Sequence, residues 1–208
     1  MRTPDPKQRW LTFVHNHSKV MVACDFFVVI TATFRTLYIL VAMEIGSRQI
    51  LHQNVTAHPT AEWTLQQFRE ALPGDHPYRF VIHDRDSIFS QDVDKSLTNL
   101  GVRVLRTPVR APKANAVCER LGGSLRRECL DFLIPFHERH LQMTIRDWTM
   151  HYNRGRPHSS LGPGLPEPMS DQVPPNEHRH MLPLGYRVAK RSVLGGLHHE
   201  YGLVKEAA

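Results

Sequence analysis

The chain has 208 residues, of which 41% are hydrophobic and fifteen are proline, and its net charge is +6. This length suits one domain with a tail or two small domains, and the apolar content is enough for an ordinary core. The longest apolar stretch, residues 20–30, is too short to span a bilayer, and no apolar run of signal-peptide length precedes it. The sequence therefore excludes a membrane-spanning chain.

Three strands are predicted first, because apolar and β-branched residues dominate residues 20–33, 36–45 and 48–55. Short links between them favour an antiparallel meander. Helical and extended patterns then alternate: helices at residues 61–72, 89–100, 115–130 and 137–152, and strands at 78–83 and 102–105. Such an order predicts an α/β fold, with a mixed five-stranded sheet flanked by helices. We expect three parts: an N-terminal extension (1–17), a core domain (18–153) and a largely irregular C-terminal extension (154–208).

Three acidic residues stand where folding alone does not explain them. Asp25 interrupts the first apolar strand, Asp84 directly follows the fourth, and Glu119 lies in the first turns of a long helix. An unpaired buried carboxylate is costly and invites a metal or a partner. If the first and fourth strands are neighbours, the three carboxylates converge at one edge of the sheet.

Converging carboxylates can hold divalent metal ions. Mg²⁺ prefers carboxylate and phosphate oxygens, and two such ions can activate an attacking oxygen and stabilise a leaving one. Taken singly, Asp84 and Glu119 are also explained as a strand end and a helix cap, whereas Asp25 is the exception, because an unpaired buried carboxylate is costly.

The charge distribution points to an anionic partner. Residues 101–160 contain eleven Arg and Lys against five acids, an excess of six that equals the net charge of the whole chain. Ten of the eleven are Arg, whose planar guanidinium suits phosphate. A solvated basic face without a ligand explains the charge equally well.

The cysteines indicate a reducing compartment. Cys24, Cys118 and Cys129 are odd in number and lack metal-site spacing, so we expect free thiols. His137/His140 and His198/His199 could be read as zinc ligands. Neither group has a second ligand pair at zinc-finger spacing, so the sequence favours a structural role for these histidines.

Five segments in order resemble the motifs of DDE transposases with a retroviral-integrase-like catalytic core, including bacterial insertion-sequence members. They are ACDFF at 23–27, IHDRDSIF at 82–89, ANAVCER at 114–120, LRRECL at 125–130 and HYNRGRPHSSL at 151–161. The resemblance implies an RNase H-like fold, two Mg²⁺ ions with Mn²⁺ as a substitute, and cutting and joining of DNA strands. It also implies DNA partners (element ends and target), a homo-oligomer, and a cytoplasmic location at the bacterial nucleoid.

The same resemblance assigns roles to individual residues. Asp25, Asp84 and Glu119 would be the catalytic metal ligands, with Asp84 preferred over Asp86 because it follows the strand directly. The residues expected to contact DNA are Arg120, Arg126, Lys113 and Arg156. Asn115 is either a helix cap or a substrate contact.

About twenty residues precede the first strand, too few for the helix-turn-helix region that such transposases carry. We therefore expect either a separate helix-turn-helix subunit or a truncated copy. The alternatives to a strand-transfer enzyme are a hydrolysis-only RNase H-like nuclease and an inactive nucleic-acid-binding remnant.

Overall fold

The computed structural model describes residues 6–107, 116–162, 164–167 and 181–206. The chain divides into two compact units, Met1–Arg146 and Asp147–Ala208. The helices are α1 (Pro6–His17), α2 (Ala61–Ala71), α3 (Gln91–Asn99), α4 (Ala116–Glu128) and α5 (Glu138–Arg154). The strands are β1 (Met21–Ile30), β2 (Thr36–Glu44), β3 (Ile50–Thr56), β4 (Phe80–His83), β5 (Arg103–Arg106), β6 (Tyr186–Val193) and β7 (His198–Lys205). No described helix has the length and apolarity needed to cross a membrane.

The first unit is built on a mixed five-stranded sheet in the order β3-β2-β1-β4-β5. The first three strands form the antiparallel meander, whereas β4 runs parallel to β1, and β5 parallel to β4. The predicted mixed sheet with flanking helices is thus confirmed. The order also makes β1 and β4 neighbours at the centre of the sheet.

Side chains of β1 alternate between two separate cores, as the period of two in a strand requires. Val22 and Cys24 pack with Phe68 of α2 and with Val93 and Leu97 of α3. Met21 and Ala23 pack on the opposite face with Ile82, Ile45 and Cys118 of α4. The odd-numbered positions of β1 therefore face α4.

Helix boundaries in the first unit follow from local capping. The side chains of Thr60 and Ser90 accept hydrogen bonds from the amides of Trp63 (3.2 Å) and Val93 (3.3 Å), which start α2 and α3. The helix predicted at 89–100 begins two residues later because Ser90 is its cap. Asn115, the cap expected for α4, lies outside the described residues.

Helix α1 is an element that the sequence analysis did not predict. Trp10, Phe13 and Val14 have the i, i+3, i+4 spacing of one helix face, and all three pack against the core that contains Met21 and Ala23. The polar residues between them obscured that spacing. The N-terminal segment thus covers the same face of the sheet as α4.

The second unit contains an antiparallel hairpin of β6 and β7 within the tail expected to be largely irregular. Gly195 and Gly196 have positive φ (66° and 102°) at its turn, a conformation that glycine adopts without strain. Neither strand has a continuous buried face, which is why hydrophobic alternation did not reveal it.

Glu200 is the polar centre of this unit. It accepts a hydrogen bond from His151 Nδ1 (2.8 Å) and pairs with the guanidinium of Arg191. Burial disfavours its ionised form, but the hydrogen bonds from His151 and Arg191 outweigh burial and lower the pKa of Glu200. The pair fixes β7 against the last turn of α5.

Candidate active site

Strand pairing brings Asp25 and Asp84 to the same place. In the parallel pair of β1 and β4, Ala23 lies opposite Ile82. Asp25 lies two residues beyond Ala23, and Asp84 two residues beyond Ile82. Side chains alternate along a strand, so Asp25 lies on the same side of the sheet as Ala23, and Asp84 on the same side as Ile82. Ala23 and Ile82 both pack with Cys118 of α4. Both carboxylates therefore lie on the α4 side of the sheet.

Helix α4 carries Glu119 along β1. Its buried stripe begins at Cys118, which packs with Ala23, and continues one turn on at Gly122, whose missing side chain leaves room for the ring of Phe27. One further turn on, Arg126 Nη2 donates a long hydrogen bond (3.5 Å) to the carbonyl of Val28. Asp25 lies between Ala23 and Phe27 on the strand, and Glu119 lies between Cys118 and Gly122 on the helix, so the two acids belong to the segments of β1 and α4 that pack together.

Electrostatics show that the acidic residues affect one another. Burial, followed by the charge of Asp84, raises the pKa of Asp25 from 3.8 to about 7, and Glu119 and Asp86 add to the effect. The amide of Phe26 donates to Asp25 Oδ1 (2.9 Å) and only partly compensates. Asp84 has the largest effect of the three acids, as its register with Asp25 predicts.

The donor set fits a hard divalent cation. Among the described residues, none of the three carboxylates forms an ion pair with Lys, Arg or His. A half-buried carboxylate repelled by two others lacks the positive charge that Mg²⁺ would supply. In the described part of the chain, no three His, Cys, Asp or Glu side chains are arranged to hold a metal as they stand. The residues therefore supply the ligand chemistry, whereas a closed set of three ligands is not preformed.

The loop after β4 is ordered by its own carboxylates. Asp84 Oδ1 accepts from the amide of Asp86 (2.9 Å), and Asp86 Oδ1 accepts from the amide of Ile88 (3.0 Å). These are Asx turns, a common use of Asp side chains in loops. One oxygen of each aspartate is thus engaged in the turn, so these hydrogen bonds do not distinguish Asp84 from Asp86 as a metal ligand.

His83, Asp94 and Arg106 form a relay behind this loop. The His83 ring is fully buried and stacks on Phe89, with ring centroids 4.3 Å apart. Its Nδ1 lies 2.6 Å from the carbonyl oxygen of Asp84 and its Nε2 lies 2.9 Å from Asp94 Oδ1. Arg106 Nε donates to Asp94 Oδ2 (2.7 Å). The sequence analysis missed this trio, since its members come from β4, α3 and β5 and no local pattern joins them.

The residues predicted to contact DNA have different environments. Arg120 and Arg126 are exposed on α4, where Arg126 also reaches Val28 as described above. Arg156 lies over the ring of Tyr152, 5.7 Å from its centroid, and His158 hydrogen-bonds the carbonyl of Tyr152 (3.1 Å). The 151–161 motif thus folds on itself, which favours a structural role for Arg156. Lys113 lies outside the described residues.

The other sequence expectations concern thiols and histidines. All three cysteines are free and buried. His137 Nδ1 accepts from the amide of His140 (3.1 Å), so this pair organises the start of α5.

Two adjacent glycines of α4 give a matched test of how closely this helix must approach β1. A Cβ at Gly122 would lie 2.5 Å from Phe27 Cε1, whereas a Cβ at Gly123 would meet only the flexible guanidinium of Arg127 at 3.0 Å. We expect Gly123→Ala to stabilise the protein by about 0.5–1 kcal/mol through helix propensity. Gly122→Ala should instead destabilise it by about 1–2 kcal/mol, because overpacking exceeds the same gain. Urea denaturation measures both, and equal stabilisation by the two variants would contradict the close packing.

Comparisons with known proteins agree with this geometry. Residues 100–166 match the family model of the integrase core domain. A search of the curated proteins finds no match.

Three solved structures share the fold. The catalytic core domain of BIV integrase aligns with a TM-score of 0.52 and 16% identity, over 71% of this chain and 91% of that one. The simian T-cell lymphotropic virus intasome, solved with the PP2A regulatory subunit B56 gamma, gives a TM-score of 0.56 and 12% identity, over 91% and 79%. The HTLV-2 integrase catalytic core domain, in complex with magnesium in a trimeric form, gives 0.51 and 13%, over 65% and 85%. Residues 100–166 are therefore similar to the integrase core domain, and the chain has the RNase H-like fold of the retroviral integrase catalytic cores.

Proposed function

We propose that this chain is the DNA-cutting and strand-transfer core of an insertion-sequence transposase of the DDE type. The observation that carries the proposal is the environment of Asp25, whose pKa is raised to about 7 by burial and then by the charges of Asp84 and Glu119. Groups with strongly perturbed pKa values that share a site with other acids are characteristic of metal-dependent active sites. The integrase core match of residues 100–166 selects phosphoryl transfer on DNA from among such chemistries.

In this proposal the chain holds two Mg²⁺ ions, with Mn²⁺ as a substitute. Asp25 would contact both, Asp84 the first and Glu119 the second. When bound, the ions supply charge neutralisation at phosphorus and activation of water or of a DNA 3′-hydroxyl. Asp25 and Asp84 fix the site on the sheet, and α4 positions Glu119 over it. No side chain of the protein acts as the nucleophile.

The basic residues would bind DNA through its phosphates. Arg120 and Arg126 are exposed on α4 at one and seven positions after Glu119, so the helix presents positive charge next to the acidic site. Lys113 and Arg156 are further proposed contacts. Binding of this kind is largely independent of sequence and weakens with salt. Further proposed partners are a helix-turn-helix subunit that recognises the element ends and a second copy of this chain that pairs two ends, in the bacterial cytoplasm.

A joining assay tests the proposal. The purified chain is incubated with Mg²⁺, a supercoiled target and a labelled duplex whose ends come from the DNA flanking its gene. We expect labelled strands joined covalently to the target, with none formed in EDTA. Nicked products without joining would favour a hydrolytic nuclease, and DNA binding without either product would favour an inactive remnant.

A further inference from the structure

Asp84 lies just beyond the hydrogen bonds that order its strand. Strand β4 ends at His83, and the carbonyl of His83 accepts from the amide of Thr107 (3.1 Å) at the end of the β4–β5 pairing. From Asp84 onward, therefore, pairing with β5 no longer holds the backbone. A carboxylate that is to bind a metal ion nevertheless needs a defined position, because loosely held ligands weaken affinity.

The His83 ring supplies the missing constraint. Its Nδ1 lies 2.6 Å from the carbonyl oxygen of Asp84, and Asp94 Oδ1 lies 2.9 Å from its Nε2. Each ring nitrogen thus faces an oxygen, one of the main chain and one of a carboxylate, and the ring cannot rotate without losing a contact. Stacking on Phe89 and complete burial restrict it further.

Asp94 is in turn held from the opposite side. The guanidinium of Arg106 contacts Asp94 Oδ2 through Nε (2.7 Å) and Nη2 (2.5 Å), while Oδ1 faces His83. The side chain of Asp94 is only 18% exposed. The carboxylate thus joins α3 to β5 and fixes the ring that holds Asp84. Arg85 Nε also donates to the carbonyl of Thr107 (3.0 Å), tying the same loop to the end of β5.

We propose that His83, Asp94 and Arg106 form a positioning relay that sets the metal affinity of Asp84, an inference that rests on the proposed function of the acidic site. None of the three touches the metal or the DNA. The relay fixes the main chain of Asp84, so that its carboxylate meets the cation without first ordering the loop. Partners that orient metal ligands in this way typically change affinity by about 10- to 100-fold.

Titration with Mn²⁺ alone, followed by the electron paramagnetic resonance signal of the free ion, tests the relay directly. Asp94→Ala should weaken Mn²⁺ binding by about 10-fold or more. The matched control is Asp92→Ala on the same helix, where Asp92 is 85% exposed and pairs with Lys95. Arg106→Ala removes the partner of Asp94 Oδ2 at an exposed strand end and should weaken Mn²⁺ binding less than Asp94→Ala does. Arg106→Lys should restore part of the affinity that Arg106→Ala loses. These two variants keep the test valid if Asp94→Ala fails to fold.

A merely structural role would lower thermal stability and leave the Mn²⁺ affinity of the folded protein unchanged. In the joining assay, the relay predicts a raised Mg²⁺ requirement for Asp94→Ala with a nearly normal rate at saturating Mg²⁺. Asp84→Asn distinguishes failure of the relay from failure of the proposed active site. If Asp84→Asn loses Mn²⁺ affinity while Asp94→Ala and Arg106→Ala keep it, the relay is wrong and the active site stands. If Asp84→Asn binds Mn²⁺ as the wild type does, both are overturned.

Discussion

Replacing Glu119 by Gln is expected to lower Mg²⁺-dependent strand joining by about 10³-fold or more while DNA binding is retained. A metal ion that stabilises the transition state contributes several kcal/mol, and about 1.4 kcal/mol corresponds to a tenfold change in rate. Gln keeps the shape of Glu but removes the charge that a second ion needs. Glu119 is exposed on α4 and forms none of the described ion pairs, so the fold should tolerate the change.

The control is Glu62→Gln, an exposed acid in the first turn of α2, which should join DNA at the normal rate. Product formation is measured on denaturing gels at several Mg²⁺ concentrations, with DNA binding followed separately by fluorescence anisotropy. Equal activity of Glu119→Gln and the wild type would remove Glu119 from the catalytic set. Equal inactivity of both, with binding intact, would identify a remnant that no longer cuts.

Replacing Asp25 by Asn is expected to stabilise the metal-free protein, and increasingly so as the pH rises. The pKa of Asp25 is raised from 3.8 to about 7, so the folded state holds this proton more tightly than the unfolded state does. The wild type is therefore favoured at low pH and loses stability as the pH rises from about 4 through about 7. Asn does not ionise, so the variant does not lose stability over this pH range.

The difference in free energy of unfolding between Asp25→Asn and the wild type should grow by about 2–3 kcal/mol between about pH 5 and about pH 8. Urea denaturation in EDTA measures it, with Asp75→Asn on an exposed loop as the control. Adding Mg²⁺ should stabilise the wild type and leave the variant nearly unchanged. A pH-independent difference would show that neither burial nor the charges of Asp84 and Glu119 raise the pKa of Asp25.

Local patterns predicted the sheet of the first unit well. Strands β1 to β5 and helices α2 to α5 appear in the expected order, since continuous apolar runs and amphipathic spacing mark each of them. Boundaries shifted where a cap or turn decides them: β1 ends at Ile30 because Thr31 and Arg35 close a turn there (2.9 Å). Helix α1 and the β6–β7 hairpin were missed because neither shows a continuous apolar pattern.

The acidic site was only partly accessible to sequence reasoning. Asp25 stood out because a carboxylate inside an apolar run needs a physical cause, and Asp84 because it ends such a run. The relay behind Asp84 could not be seen, since Asp94 looks like an ordinary acid in the first turn of a helix. Only the tertiary contacts with His83 and Arg106 give it a role. The close approach at Gly122 was equally hidden, because a helical glycine has no sequence signal that names its neighbour.

The parallel pair of β1 and β4 has a consequence for how the site is assembled. Asp25 lies within β1 at the centre of the sheet, whose strands belong to the most cooperative part of a domain, and Asp84 directly follows the neighbouring strand β4. Glu119 lies on α4, which packs on β1 through Cys118 and Gly122. In the proposed metal site, the two aspartates thus depend on the sheet, whereas Glu119 depends on the packing of one helix. A change in the packing of α4 on β1 would therefore move one proposed ligand and leave the other two in place.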